Sequence, residues 1–80
     1  MGYYTYVLRS LKNGDLYIGS TENVEKRVAM HNGGRVRSTK GYRPWQLLQH
    51  EPFATRSEAV LRERFLKNHQ QKELLKEKYT

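Results

Sequence analysis

The sequence predicts an α+β domain, a small three-stranded antiparallel sheet flanked by helices, and three features carry that prediction. Tyr3 to Leu8 is an aromatic and β-branched run, the composition that packs on a pleated surface. Asn13-Gly14 follows it, and this dipeptide is a strong hairpin signal because both residues accept positive φ. Thr55-Arg56-Ser57-Glu58 is a capping box, in which the hydroxyl and the carboxylate each meet a free backbone N–H at a helix start. Eighty residues leave room for one domain, over 1–80, since a chain this short buries only about 60% of its unfolded surface.

Taken in order, the first strand covers Tyr3 to Leu8 and the second Leu16 to Gly19. Asn23 to Asn32 has helical spacing, with Thr21 or Asn23 as N-cap and Gly33 as a left-handed stop. Val24 and Val28 form its apolar stripe, and about 100° per residue places Arg27 and His31 on the flank of that stripe. Gly33 to Arg43 contains Arg35, Arg37, Lys40 and Arg43 and no acid, so it reads as a basic loop rather than a packed element. The third strand begins at Pro44-Trp45 and extends toward Phe53. The capped helix runs to about Asn68, with Ala59, Leu61, Phe65 and Leu66 facing the sheet and Glu63 at the edge of that face. A last helix spans Gln71 to Tyr79, with Leu75 and Tyr79 one turn apart.

Composition narrows the function. Fifteen Lys and Arg against eight Asp and Glu give a formal charge of +7, which draws polyanions; nucleic acid is the expected partner, DNA ahead of RNA. Without cysteine there is no disulfide, thiolate metal site or thiol nucleophile. Met1-Gly2-Tyr3-Tyr4 is not a secretory leader, and no apolar run approaches the roughly 20 residues that span a bilayer. The expectation is a cytoplasmic monomer with no membrane partner.

Polar residues stand at the margins of apolar faces: Tyr6 and Tyr17 on strands, Arg27 and His31 on one helix, Glu63 on another. Singly, each has an ordinary explanation as a packing tyrosine, a solvated charge or a core histidine, and Gly19 as the residue of a tight strand exit. Their order and spacing give more. Tyr17-Ile18-Gly19, preceded by the degenerate Tyr4-Thr5-Tyr6 and followed by a helix with Arg27 and His31 and by Glu63 in Glu-Ala-x-x-x-Glu, resembles the GIY-YIG nuclease superfamily over nearly the whole chain, and its small stand-alone bacterial members above all. The resemblance implies the GIY-YIG type of fold, Glu63 as the ligand of one divalent ion, Mg²⁺ or Mn²⁺, and Tyr6, Tyr17, Arg27 and His31 as catalytic residues. It further implies direct attack of water, leaving a 5′-phosphate and a 3′-hydroxyl. Where active members place an asparagine after the metal-binding glutamate, this chain has Leu74, Leu75 and Tyr79, and Asn68 lies too near Glu63 to replace it.

The chemistry suits those residue types. A hard cation prefers carboxylate oxygen, and a guanidinium fork matches nonbridging phosphate oxygens. A tyrosine serves as base at neutral pH only with a nearby cation or metal-bound water. A two-residue Asn13-Gly14 loop would pair Tyr6 with Thr21 and leave Tyr17 about 13 Å away, so a shared site requires a longer loop, from about Ser10 to Gly14, with Tyr6 nearly opposite Tyr17. Arg35, Arg37, Lys40 and Arg43 are the expected nucleic-acid contacts. The function expected is therefore metal-dependent endonucleolytic cleavage, in DNA repair or processing. Two alternatives are a non-catalytic nucleic-acid binder that uses the basic loop and stacks bases on Trp45, and a basic adaptor for an acidic protein.

Overall fold

The computed structural model describes residues 2–79. It runs β1 (Tyr3–Ser10), β2 (Leu16–Thr21), α1 (Val24–Asn32), a short 3₁₀ turn (Lys40–Tyr42), β3 (Trp45–Phe53), α2 (Arg56–Leu66) and α3 (His69–Lys78). The sheet is antiparallel throughout, with strand order β2-β1-β3. Central β1 is covered on both faces, which explains why Thr5, Tyr6, Val7 and Leu8 are all buried and why its sequence does not alternate polar with apolar.

Two cores result. Val7, Leu16 and Ile18 meet Leu66 of α2 and Leu75 of α3, with Leu48 and Tyr79 packed at their edge. Across the sheet, Tyr6, Leu8 and Trp45 pack with Tyr17 and Val28 of α1. β3 carries an extra residue at Leu48, where Val7 faces Gln49 but Leu8 faces Leu47, a bulge that interrupts the ladder there. Arg9 Nη1 donates to the Tyr79 carbonyl at 2.6 Å, and Tyr79 Oη to Gln49 Oε1 at 2.6 Å, tying the end of α3 to the sheet.

The β1–β2 connection is the longer loop that a shared tyrosine site requires. Residues 11–15 are organised by Ser10, whose Oγ accepts from the Lys12 and Asn13 amides and donates to the Tyr42 carbonyl. Only Gly14 of the Asn-Gly pair takes positive φ, at 81°. Asn23 is the N-cap of α1, accepting from the Lys26 amide. Gly33 is not the left-handed stop: its φ is −81°, and Gly34, at 75°, turns the chain instead. The capping box forms at Thr55 and Glu58.

Several boundaries differ from the sequence expectation. β1 and β2 each extend two residues further, to Ser10 and Thr21. α2 stops at Leu66 because Asn68 caps α3, accepting from the Gln70 amide. Within the basic loop a 3₁₀ turn anchors the buried Thr39. The buried face of α2 also corrects the expectation for Leu61 and Phe65, which are 64% and 48% exposed while Ala59 and Leu66 are buried. Seven residues return a helix to nearly the same side, whereas two residues rotate it about 200°, so Leu61 cannot share the face of Ala59.

Candidate active site

The register brings the two tyrosines to one face. Tyr6 pairs with Gly19 rather than lying opposite Tyr17, which stands two residues back on β2 and on the same side of the sheet. The ring centroids are 6.3 Å apart. Gly19 is needed for close approach rather than for a strand exit: a Cβ there would lie 2.6 Å from Tyr6 Oη and 2.8 Å from its Cζ. The absent side chain is the space the Tyr6 phenol fills.

α1 delivers Arg27 and His31 from above this face. His31 is fully buried, its ring 4.8 Å from that of Tyr17 and 6.4 Å from that of Trp45. Tyr6 Oη and His31 Nε2 are 3.0 Å apart, and His31 Nδ1 lies 2.8 Å from Thr39 Oγ1. Burial, assisted by the charge of Arg27, lowers the His31 pKa to about 4, so the ring is neutral at pH 7. Burial likewise pushes the Tyr6 phenol up to about 12, although its hydrogen bond with Arg27 pulls the other way. That bond in turn raises the Arg27 guanidinium above its already high value, with a smaller contribution from Tyr17. Arg27 Nε is buried and has no hydrogen-bond partner among the described residues.

Arg27 opens into a cleft of about 570 Å³ lined by Ser20, Glu22, Asn23, Lys26 and Arg56 among others. Three of its lining residues are cations and one is an acid, so its chemistry favours an oxyanion. Glu63 approaches through the cleft wall: Ser20 Oγ donates to its Oε1 at 2.8 Å, and Lys67 Nζ lies 2.9 Å from its Oε2. The carboxylate also acts on Tyr6 through space, raising its pKa. Glu63 therefore belongs to the same neighbourhood as Tyr6 and Arg27, although α2 packs on the opposite sheet face.

These donors suit a hard divalent cation. No cluster of three or more His, Cys, Asp or Glu occurs among the described residues, and a single half-buried carboxylate beside a hydroxyl is the kind of ligand set with which Mg²⁺ retains much of its own water. Lys67 is a half-exposed, flexible partner that can release Oε2 at small cost.

Tyr6, Tyr17 and His31 are thus in contact, and Arg27 shares its cleft with Ser20, which holds Glu63. Arg35, Arg37, Lys40 and Arg43 are exposed but outside the cleft, beyond the far end of α1. Trp45 does not offer a stacking surface, being 6% exposed with its indole N–H bound to the Thr39 carbonyl. Sequence reasoning missed Ser20, Lys26, Arg56 and Thr39. Lys26 and Arg56 had a signal, standing beside Arg27 and at a capped helix start, whereas nothing in the sequence linked Ser20 to Glu63.

No helix among the described residues is long and apolar enough to cross a membrane. The GIY-YIG catalytic domain profile matches residues 2–79. A UPF0213 protein of Staphylococcus saprophyticus is 40% identical over 75 residues, covering 92% of this chain and 90% of that one. One from Natronomonas pharaonis is 42% identical over 67 residues, covering 82% and 78%. The solution NMR structure of a UPF0213 protein from Bacillus halodurans superposes with a TM-score of 0.56 at 32% identity, over 94% of this chain and 82% of that one. With the tyrosine pair, the helix arginine and the α2 glutamate in one neighbourhood and the match running from residue 2 to residue 79, the chain belongs to the GIY-YIG catalytic domain family.

Proposed function

We propose that this protein is a metal-dependent endonuclease that hydrolyses phosphodiester bonds in nucleic acid, DNA ahead of RNA. The observation that carries the reading is Arg27, which lines a cationic cleft whose wall includes Ser20, the residue that holds Glu63. Arg27 braces the nonbridging oxygens, with Lys26 and Arg56 adding positive potential as charge gathers on phosphorus. Tyr17 is the half-exposed tyrosine and Tyr6 the buried one, so Tyr17 meets the attacking water. Tyr6 keeps its proton at neutral pH and orders Arg27 and His31 around it. Water forms the new O–P bond as the bond to the leaving oxygen breaks. A divalent cation held by Glu63, Mg²⁺ or Mn²⁺, supplies stabilisation of charge on that leaving oxygen when bound.

The test is cleavage of a panel of single-stranded, duplex and branched DNA and RNA with Mg²⁺ or Mn²⁺. Glu63→Gln and Arg27→Ala should each lose on the order of 10²–10³ in rate, with Glu63→Gln retaining substrate binding. A second reading, a non-catalytic nucleic-acid binder, is favoured by the Lys67 ion pair that engages the Glu63 carboxylate. Under that reading neither the wild type nor Lys67→Ala cleaves, while polynucleotide binding persists.

A further inference from the structure

We infer that Thr39 is a positioning residue that fixes His31 as the Nδ1-protonated tautomer, making Nε2 the acceptor of the Tyr6 hydroxyl proton. Thr39 Oγ1 donates its proton to the Val36 carbonyl at 3.3 Å, so toward His31 it accepts and Nδ1 donates. Tyr6 Oη, 3.0 Å from Nε2, then donates to that nitrogen, which carries a bare lone pair.

A neutral imidazole carries one proton, and it then lies on Nδ1. Thr39 Oγ1, 2.8 Å from Nδ1, accepts it and sends its own proton to the Val36 carbonyl at 3.3 Å. The opposite polarity fails at its last member. If Thr39 donated to Nδ1, its proton would leave the Val36 carbonyl, and His31 Nε2–H would donate to the Tyr6 oxygen, so the phenol proton would lose the ring as its acceptor. One direction satisfies the whole line, Tyr6 to His31 to Thr39 to Val36.

Thr39 is well suited to hold that direction. It is 2% exposed, and its carbonyl accepts from the Trp45 indole at 3.0 Å, so the side chain cannot turn away cheaply. The ring nitrogen that binds Thr39 thereby determines what the other nitrogen does. Thr39 also stands inside the basic segment, between Arg37 and Lys40, so one residue links the outer cationic loop to the interior of the site.

The inference rests on the proposed endonuclease reading only for its effect on turnover; the tautomer itself is read without substrate. The experiment is ¹⁵N-edited NMR of the histidine rings in the full chain at neutral pH. His31 should show a protonated Nδ1 and an unprotonated Nε2, the minor form for a free histidine side chain in water. A protonated Nε2 in the wild type overturns the proposal, whether or not any variant folds. Thr39→Val should lose the fixed tautomer and Thr39→Ser should restore it; Nδ1 protonation that survives in Thr39→Val, or in Thr39→Ala if valine disrupts folding, also overturns it. Where cleavage is observed, Thr39→Val should lower kcat about tenfold or more with KM unchanged. Absent cleavage would count against the endonuclease reading and leave the tautomer result standing.

Discussion

His31 illustrates what a single buried titratable ring does to the molecule. Its folded pKa of about 4 lies below the unfolded value of 6.5, so the unfolded chain takes up a proton first as the solution is acidified. The stabilisation is complete above pH 6.5 and is lost as pH falls toward 4, by as much as about 3 kcal/mol. Denaturant midpoints measured across that window should fall with acidity, and the His31 ring signals should stay those of a neutral imidazole down to about pH 5. Gly19 gives the second expectation at this scale. Gly19→Ala forces its methyl into Tyr6 Oη and Cζ and should cost about 1–3 kcal/mol by urea denaturation, with part of the loss recovered in the double variant carrying Tyr6→Phe. The sequence identified both residues through their spacing. It did not reveal why Gly19 matters, because the clash depends on a cross-strand register that only the loop length decides.

For the elements, the hydrophobic pattern located every strand and helix but oriented α2 wrongly. Five apolar residues lie in that helix, and only Ala59 and Leu66 are buried. The orientation follows from polar anchors with no sequence signature: Thr5 Oγ1 donating to the Ala59 carbonyl at 2.7 Å, Arg62 on Glu51, and Glu63 on Ser20. Phe65 instead lies under the Arg62 guanidinium, 5.2 Å from its ring centroid. Leu66→Ala should therefore cost about 2–5 kcal/mol, whereas Leu61→Ala should change stability by less than about 0.5 kcal/mol; thermal or urea unfolding of the two variants distinguishes the faces. Asn68 shows a related limit. Its sequence position suggested a helix end, and its side chain starts the next helix instead.

Across the whole molecule, charge was the most legible property, since a count of +7 needs no structure. Its distribution was less so. The exposed loop arginines and Lys40 form one basic region and Lys26, Arg27 and Arg56 another, joined along α1. Binding to duplex DNA should weaken steeply with salt, and replacing Arg35, Arg37, Lys40 and Arg43 by alanine should reduce the slope of log K against log salt by about 0.9 for each phosphate that is no longer neutralised. Glu63→Gln should leave that slope unchanged, because it removes no cation. Arg27 adds a thermodynamic consequence. It shares its cleft with two further cations, Lys26 and Arg56, whose mutual repulsion weakens the unliganded fold. An oxyanion seated among them offsets that repulsion, so occupancy of the cleft and resistance to unfolding should rise together.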